Sequence, residues 1–465
     1  MSFKTVSNSV FIEIVQIAGV ENVLQLEDDL RLFGKDETED LVFLPELVVK
    51  PSNPGEISRI LKLCNENRIP VTTRGGGTGL SGGALPVKGG IVLSTERLNK
   101  IIEIDERNLQ ATVETGVITE ALIKAAFEKG LFYPIDPASK GNCFIGGNIA
   151  LCAGGPRVVK YGTIREFILN LEVVLPNGEI IWTGANTLKY ASGYNLTQLL
   201  IGSEGTLGVI TKCVVKLIPA PTQNQLLLAS FGSNENACAA VSSIFRAGVI
   251  PSALEFMERR GVEWVIEYDK ISIDIKQKAQ AFLLVEVDGN DLEVISKDCS
   301  TIERVLANNG CIEVTTAASR KEKNNLWRIR RVMPVSVKSN SVYKEEDTVV
   351  PRAELPALIK GIKEIGNKYG FESVCYGHAG DGNLHVNIIK GKMSDEDWNV
   401  KLKAGIREIF ELTVSLGGTI SGEHGIGLVQ KEFMDIRFSD FHINLMRGIK
   451  KVFDPVGILN PGKIF

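Results

Sequence analysis

The sequence predicts a protein of mixed helices and strands that is divided into two or more domains. The chain has 465 residues, more than one hydrophobic core usually organises. Its content of 44% hydrophobic and 23% charged residues is typical of globular proteins. Glycine is dense in residues 74–208 and again in 376–427, whereas residues 223–317 alternate helical patterns with apolar strands. This distribution suggests two ligand-binding regions that are joined through a packing region.

Charge and cysteine usage argue against several classes of protein. A net charge of -4 provides no basic excess for nucleic acid. The eight cysteines form no CxxC pair, which speaks against an iron–sulfur cluster or zinc finger and fits a reducing compartment. No apolar run approaches the ~20 residues that span a bilayer. The N-terminus lacks a basic region followed by a cleavage site. We therefore expect a cytoplasmic, enzyme-sized protein without a transmembrane segment.

The first clear elements are a helix and a strand that precede a glycine-rich loop. Residues 54–68 predict a helix that begins after Pro54 and places apolar residues 57, 60, 61 and 64 on one face. The segment IPVTTR predicts a short strand. Pro219 and Pro221 indicate a domain boundary further along the chain.

The loop that follows the strand contains the dinucleotide-binding pattern Gly77-x-Gly79-x-x-Gly82. A Rossmann site also needs a helix N-terminus directly after this pattern. The next residues, ALPVKGGIVLST, include a proline and two glycines, so we reject a nicotinamide site. Backbone N–H groups unobstructed by Cβ atoms can still bind phosphate. The alternative is a glycine-rich turn without a ligand.

Further glycine clusters predict a cradle for a large, flat cofactor. They are GGNIALCAGG, Lys160-Tyr161-Gly162 and GSEGTLGVI, and they are accompanied by PIDPAS, a rigid proline turn that ends in a hydroxyl. Small residues allow the backbone to approach such a cofactor closely. Any single cluster is weak evidence, but several in one order over about 130 residues are strong evidence.

These motifs, with PELVVKPSNPGEISRIL and RGGGTGLSGGA, resemble the FAD-binding domain of the vanillyl-alcohol oxidase/PCMH superfamily. Within it, nearly the whole chain is similar to the glycolate oxidase subunit/D-lactate dehydrogenase/D-2-hydroxyglutarate dehydrogenase group. The resemblance implies an α+β fold, with a PCMH-type FAD-binding domain and a cap domain whose antiparallel sheet covers the flavin. The expected division is an N-terminal helical segment (1–45), the FAD-binding domain (46–220), a substrate and cap domain with a metal site (221–440), and a C-terminal segment that returns to the FAD domain (441–465).

The glycine clusters and the resemblance together predict the residues that bind FAD. We expect non-covalent FAD because no histidine precedes His378, which excludes a histidyl linkage in the FAD domain. The C-terminal segment 453–463 resembles the strap that brings an asparagine near the flavin. The predicted cofactor-binding residues are Arg74, Gly75, Gly76, Gly77, Thr78, Gly79, Ser81, Gly82, Pro137, Ser139, Gly146, Gly147, Asn148, Gly154, Gly155, Tyr161, Gly162, Glu204, Gly205, Val209, Ile210 and Asn460.

Three of the four histidines lie in two short motifs, YGHAGDGNLHVN and SGEHG. Asp-Gly is a strong signal for a two-residue hairpin turn. If Asp381-Gly382 forms it, His378 pairs with His385 and their Cβ atoms lie about 5 Å apart, close enough to share a metal. A carboxylate such as Glu423 would complete a three-ligand site. The alternative is a pair of structural histidines on a buried hairpin.

The resemblance implies the same ligands, His378, His385 and Glu423, for a divalent zinc, iron or manganese ion. It also implies that His424 is the general base. A metal that is chelated by the hydroxyl and carboxylate oxygens of a 2-hydroxy acid lowers the hydroxyl pKa, and an adjacent imidazole can take the proton. The hydride would pass to flavin N5. His442 is expected on a helix, without a catalytic role.

Arginine is the preferred partner of a substrate carboxylate because its fork geometry matches the two oxygens. By resemblance, Arg330, Lys344 and Asn387 face the substrate. Neighbouring Arg328 and Arg331 fit a solvated basic helix face equally well. Relatives specific for 2-hydroxyglutarate carry a threonine where this chain has Pro334, which favours a small monocarboxylate.

We therefore expect metal-assisted oxidation of a D-2-hydroxy acid, D-lactate or glycolate, to the 2-oxo acid. The alternatives are a D-2-hydroxyglutarate dehydrogenase, a flavin oxidase that reduces dioxygen, and a catalytically silent FAD-binding electron-relay subunit. Because no Rossmann site or cluster cysteines are present, electrons should leave to an electron-transfer flavoprotein, a quinone-linked partner or an iron–sulfur subunit. For the oligomeric state, a homodimer is one alternative.

Overall fold

The computed structural model describes residues 2–38, 41–271 and 275–465. The chain folds into two compact units. The first unit contains Met1–Gly154, Thr163–Ala220 and Glu423–Phe465, and the second contains Gly155–Gly162 and Pro221–Gly422. The division after Ala220 falls between the two prolines that indicated a boundary. Residues 155–162, predicted in the FAD-binding domain, group with the second unit. Residues 423–440, predicted in the cap domain, group with the first unit.

The described helices and strands follow in chain order. Residues up to 220 form α1 (Asn8–Ala18), β1 (Val23–Leu24), α2 (Glu27–Phe33), β2 (Leu47–Val49), α3 (Pro54–Asn67), β3 (Val71–Arg74), β4 (Ile91–Ser94), β5 (Ile101–Asp105), β6 (Gln110–Glu114), α4 (Thr119–Glu128), β7 (Leu131–Phe132), α5 (Ile145–Leu151), α6 (Val158–Tyr161), β8 (Ile168–Val174), β9 (Ile180–Trp182), α7 (Leu196–Leu200), β10 (Val209–Lys216) and β11 (Ile218–Pro219). The rest forms β12 (Gln223–Phe231), α8 (Asn234–Arg246), β13 (Ala253–Glu258), α9 (Arg259–Asp269), β14 (Ala281–Gly289), α10 (Leu292–Asn308), β15 (Cys311–Thr316), α11 (Arg320–Asn340), β16 (Tyr343–Val349), α12 (Leu355–Tyr369), β17 (Glu372–Gly377), β18 (Asn383–Ile389), α13 (Leu402–Ser415), α14 (Met434–Arg437) and α15 (Asp440–Phe453).

The first unit contains two larger sheets, in the strand orders β1-β2-β4-β3 and β5-β6-β10-β8-β9, and the two-stranded sheet β11-β7. Helix α3 confirms the predicted helix after Pro54. The Asn53 side chain caps it by accepting from the Glu56 N–H at 3.0 Å, and its apolar residues 57, 60, 61 and 64 are buried. Strands β3 and β4 are parallel. Residues 75–90 between them form no helix, so the glycine-rich loop lacks the helix N-terminus that a Rossmann site needs.

The C-terminal segment of the first unit pairs with β3 through a parallel bridge between Val71 and Leu459. The N–H of Asn460 donates to the carbonyl of Val71 at 2.8 Å. His442 lies on helix α15, as expected, and its Nδ1 contacts the Ser439 hydroxyl.

The second unit is built on a seven-stranded sheet with the order β15-β12-β14-β13-β17-β18-β16, in which every neighbouring pair is antiparallel. One face packs against helices α9 and α11, through residues such as Val262, Trp327 and Met333. Successive strand residues alternate between faces. This alternation decides which polar side chains of β13, β16, β17 and β18 meet.

No helix in the described part of the chain is both long and apolar enough to cross a bilayer.

Candidate active site

The hairpin that bears two of the histidines differs from the predicted one. Strand β17 ends at Gly377, and a 3-10 turn over Ala379–Asp381 precedes β18. Gly382 closes this turn with φ +82° and donates to the carbonyl of Ala379. The longer connection shifts the register, so that Tyr376, not His378, lies opposite His385. The predicted cross-strand pairing of the two histidines was therefore wrong, because a 3-10 turn replaces the two-residue turn.

The two imidazoles nevertheless lie close together. The ring centroids of His378 and His385 are 5.4 Å apart, and the rings are nearly perpendicular. Both residues are more than nine-tenths buried. The prediction that this hairpin brings two histidines together is thus met by a different backbone geometry.

A fully buried carboxylate, Glu255 of β13, binds His378 and Arg330 together. Both carboxylate oxygens lie 2.9 Å from Nδ1 of His378. The Nε of Arg330 donates to the same carboxylate at 2.7 Å. The guanidinium of Arg330 also lies 5.0 Å from the ring centroid of Tyr376. Helix α11 thereby places the predicted substrate arginine beside the predicted metal ligand.

His385 lies among further acidic and polar groups. Its Nδ1 is 3.4 Å from a carboxylate oxygen of Glu345 and 3.9 Å from one of Asp347. Asn387, two residues further along β18, is fully buried, and its amide lies near the Tyr376 phenol without a well-aligned hydrogen bond to a described residue. An unpaired buried amide is costly, so such a group calls for a partner. This amide is therefore suited to bind a polar ligand.

The other predicted substrate residues lie elsewhere in the second unit. Lys344 pairs with Ile388, so it lies on the opposite face of the sheet from His385 and Asn387. Its Nζ is 5.7 Å from the ring of Trp398. Exposed Arg328 forms an ion pair with Asp269. The structure does not bring Lys344 to the histidines.

Asp347 fixes the first two residues of the second histidine motif. Its carboxylate accepts from the backbone N–H of Gly422 at 2.7 Å and from the hydroxyl of Ser421 at 3.1 Å. It also accepts from the amide of Asn383 at 2.7 Å. Gly422 ends the second unit and is followed directly in the chain by Glu423.

Glu423 and His424 belong to the first unit, where the residues around them are held by two of the predicted cofactor loops. The Ser81 hydroxyl donates to the carbonyl of His424 at 2.8 Å. Glu204 accepts from the N–H groups of Ile426 and Gly427, each at 2.8 Å. Burial raises the pKa of Glu204 to about 7, although these two N–H donors and Lys463 oppose the shift. The side chains of Ser81 and Glu204 therefore position the backbone around His424.

The glycine-rich loop approaches backbone on one side. A Cβ atom at Gly76 would lie 2.3 Å from the carbonyl oxygen of Asn142, and one at Gly77 would overlap the Arg74 guanidinium. A Cβ at Gly147, in contrast, would meet nothing within 4 Å among the described atoms. The open space beside Gly147 fits a bound group that needs close backbone approach, as the FAD prediction requires.

Several predicted cofactor residues use their side chains within the protein. Arg74 is buried, and its NH1 donates to the carbonyl of Lys35 at 2.6 Å. Asn148 donates to the Thr119 hydroxyl at 2.6 Å. The amide of Asn460 donates to the carbonyls of Gly83 and Glu204, at 2.9 and 2.8 Å. The C-terminal segment thus joins two of the predicted cofactor loops.

Gly155, Tyr161 and Gly162 were also predicted to bind FAD, but residues 155–162 belong to the second unit. The phenol of Tyr161 donates to Asp288 at 2.7 Å. Burial, together with this hydrogen bond, raises its pKa above the ordinary range. The side chain of Tyr161 is therefore engaged by a carboxylate of β14.

Sequence reasoning missed the buried carboxylates of the second unit. Glu255, Glu286, Asp288 and Asp347 are all more than nine-tenths buried. Glu286, for example, accepts from Trp327 Nε1 at 2.8 Å and from Arg157 NH1 at 2.9 Å. The available signal was an acidic residue inside an otherwise apolar strand, as in ALEFME and AFLLVEVDG, because buried charges are usually paired.

Comparisons with known proteins place two family models on most of the chain. Residues 45–184 match the family described as "FAD binding domain", and residues 220–464 match "FAD linked oxidases, C-terminal domain". The chain is 40% identical over 454 residues to the glycolate oxidase subunit GlcD of Bacillus subtilis, which covers 97% of this chain and 96% of the relative. It is 40% identical over 420 residues to a D-lactate dehydrogenase of Archaeoglobus fulgidus, covering 90% and 91%. It is 32% identical over 446 residues to a D-2-hydroxyglutarate dehydrogenase of Stutzerimonas stutzeri, covering 95% and 96%.

Solved structures confirm the expected fold. p-Cresol methylhydroxylase with substrate bound superposes with a TM-score of 0.81 at 19% identity, covering 100% of this chain and 98% of the other. At this identity the likeness concerns the fold alone, a PCMH-type FAD-binding fold with an antiparallel sheet in the cap domain. The chain therefore belongs to the FAD-linked oxidases and is an FAD-dependent oxidoreductase.

Proposed function

We propose that this protein oxidises a D-2-hydroxy acid to the 2-oxo acid, with FAD and a divalent metal as cofactors. The observation that carries the proposal is the buried group formed by Arg330, Glu255 and His378, beside His385 and the unpaired amide of Asn387. This group combines an arginine for a carboxylate with two imidazoles for a metal. The names of the relatives, which are enzymes of glycolate, D-lactate and D-2-hydroxyglutarate, support the substrate class.

FAD would be held without a covalent bond by the glycine clusters of the first unit. The open space beside Gly147 fits this role. The bound FAD supplies the acceptor for the hydride that leaves C2 of the substrate. Reduced flavin would pass its electrons to an external acceptor, namely an electron-transfer flavoprotein, a quinone-linked partner or an iron–sulfur subunit.

His378, His385 and Glu423 are the proposed metal ligands. Glu255 occupies Nδ1 of His378, so Nε2 is the nitrogen that would bind a metal. Glu423 follows Gly422, whose N–H is fixed by Asp347. Zinc, iron or manganese fits a site of two imidazoles and one carboxylate with open positions. The metal would lower the pKa of the substrate hydroxyl.

The remaining roles belong to His424, Arg330 and Asn387. His424 is the proposed base that takes the hydroxyl proton, and its backbone is fixed by the Ser81 hydroxyl. Arg330 uses Nε for Glu255 and has two further NH2 groups for a substrate carboxylate. The buried Asn387 amide can donate to a substrate oxygen. Lys344 is left out because it lies on the other face of the sheet.

Pro334 favours a small monocarboxylate, D-lactate or glycolate, over 2-hydroxyglutarate. It lies four residues after Arg330 within helix α11, and therefore one helical turn away on the same face. A proline side chain offers no hydrogen-bond donor to a second substrate carboxylate. D-2-Hydroxyglutarate consequently belongs in any test of the substrate.

The deciding experiment is anaerobic bleaching of the flavin in the purified protein. The substrates are D- and L-lactate, glycolate, and D- and L-2-hydroxyglutarate, each with and without a chelator. We expect rapid bleaching by D-lactate or glycolate, lost with the chelator and restored by added metal. No bleaching by any of these acids, in protein that contains FAD and metal, would contradict the proposal and favour a silent subunit.

Two variants separate the proposed base from the proposed ligands. His424→Ala should abolish flavin reduction and leave FAD bound, because it removes only the proton acceptor; loss of FAD would instead show a structural role. His385→Ala should lose both the metal and the activity. A His385→Ala protein that keeps its full metal content and turns over would remove this residue from the site.

A further inference from the structure

Glu255 binds two residues of the proposed site: His378, a proposed metal ligand, and Arg330, the proposed receptor of the substrate carboxylate. It is fully buried in β13. Arg330 is 75 positions away in the sequence, and His378 is 123 positions away. One carboxylate thus joins a proposed metal ligand to the proposed receptor of the substrate carboxylate.

The contact with His378 fixes which ring nitrogen can bind a metal. An ionised carboxylate only accepts hydrogen bonds, so Nδ1 of His378 must carry the proton. In the neutral imidazole, which is the form that binds a metal, the lone pair is then on Nε2, on the other side of the ring. Histidine ligands of metals commonly donate their second ring N–H to a carboxylate, which sets the tautomer and the ring orientation.

The contact with Arg330 fixes the direction of the guanidinium. Its Nε donates to Glu255, and the guanidinium lies over the ring of Tyr376. Because the guanidinium is planar, these two contacts determine where NH1 and NH2 point. The two groups that could bind a carboxylate in a forked manner are thereby oriented before substrate arrives.

We propose that Glu255 is a positioning residue that orients His378 for the metal and Arg330 for the substrate carboxylate at the same time. The inference rests on the proposed function and adds to it a shared support for metal binding and substrate binding. It identifies Glu255 as a residue whose loss weakens both, although it touches neither ligand.

Glu255→Gln tests this proposal because it keeps the shape and removes the charge. Zn²⁺ affinity is measured by competition with a chelator in the FAD-loaded protein, without substrate. We expect binding to weaken by about 10- to 100-fold and KM for the hydroxy acid to rise. Glu286→Gln is the matched control, because Glu286 is also buried and also binds an arginine, Arg157, but contacts no histidine. It should retain metal affinity.

A second measurement needs no variant. Only four histidines are present, so two-bond ¹H–¹⁵N spectra of the metal-free, FAD-loaded wild-type protein can assign the tautomer of His378. We expect the Nδ1–H form. The Nε2–H form, or a Glu255→Gln protein with unchanged Zn²⁺ affinity, would overturn the positioning role. Wild-type protein that shows the Nδ1–H form but binds no metal would instead overturn the metal site, and the inference with it.

Discussion

Glu204 should make the protein less stable as the pH rises from 5 to 7. This carboxylate is buried, and it accepts the N–H groups of Ile426 and Gly427, just after the proposed base. Burial raises its pKa from 4.5 to about 7. The test is Glu204→Gln, which keeps the shape of the side chain but does not titrate.

The direction of the pH dependence follows from the raised pKa of Glu204. Because the folded state holds the proton more tightly than the unfolded state, the stabilisation is complete below pH 4.5 and is lost as the pH rises through about 7. A shift from 4.5 to about 7 corresponds to about 3 kcal/mol. About 2 kcal/mol of this falls between pH 5 and pH 7, by integration of the proton linkage.

The assay is urea unfolding of FAD-loaded wild-type and Glu204→Gln proteins at several values between pH 5 and pH 7. Relative to the variant, the wild-type free energy of unfolding should fall by about 2 kcal/mol over this range. Lys463, whose pKa burial lowers to about 8, titrates mostly above this window. If the free energy of unfolding changes with pH equally in the two proteins, burial does not raise the pKa of Glu204 as argued.

Three further predictions concern the first unit and the cysteines. Gly76→Ala should lower the stability of FAD-free protein by about 1–3 kcal/mol, because its Cβ would lie 2.3 Å from the carbonyl of Asn142; an unchanged melting temperature would contradict this. Gly147→Ala should not lower that melting temperature, because it lies in helix α5 and its Cβ enters open space, but it should weaken FAD binding; equal FAD affinity, measured by fluorescence titration, would count against a cofactor there. Of the eight cysteines, all free, only Cys152 and Cys311 are not buried, so a thiol reagent should label two groups rapidly in native protein, and rapid labelling of more would contradict the described packing.

Much of the local structure could be predicted from the sequence. Helix α3 begins at Pro54, where the sequence predicted its start, because a proline at the first turn acts locally; the structure adds the Asn53 side-chain cap. The loop after β3 forms no helix because prolines and glycines interrupt it. The family could be recognised for a related reason, since several short glycine-rich motifs occur in one order along the chain.

The arrangement of the candidate site was decided by the tertiary structure. The sequence predicted that His378 and His385 meet, but a 3-10 turn, not a two-residue turn, determined how they do so. Strand alternation turned Lys344 to the opposite face, because a single position in a strand changes the face of a side chain. Glu255 and His378 meet because β13 lies beside β17 in the folded sheet. The sequence does not show which strands become neighbours. Sequence by itself determined the chemical groups and the local turns that present them, whereas contacts across many residues depend on strand register, which the whole sheet sets.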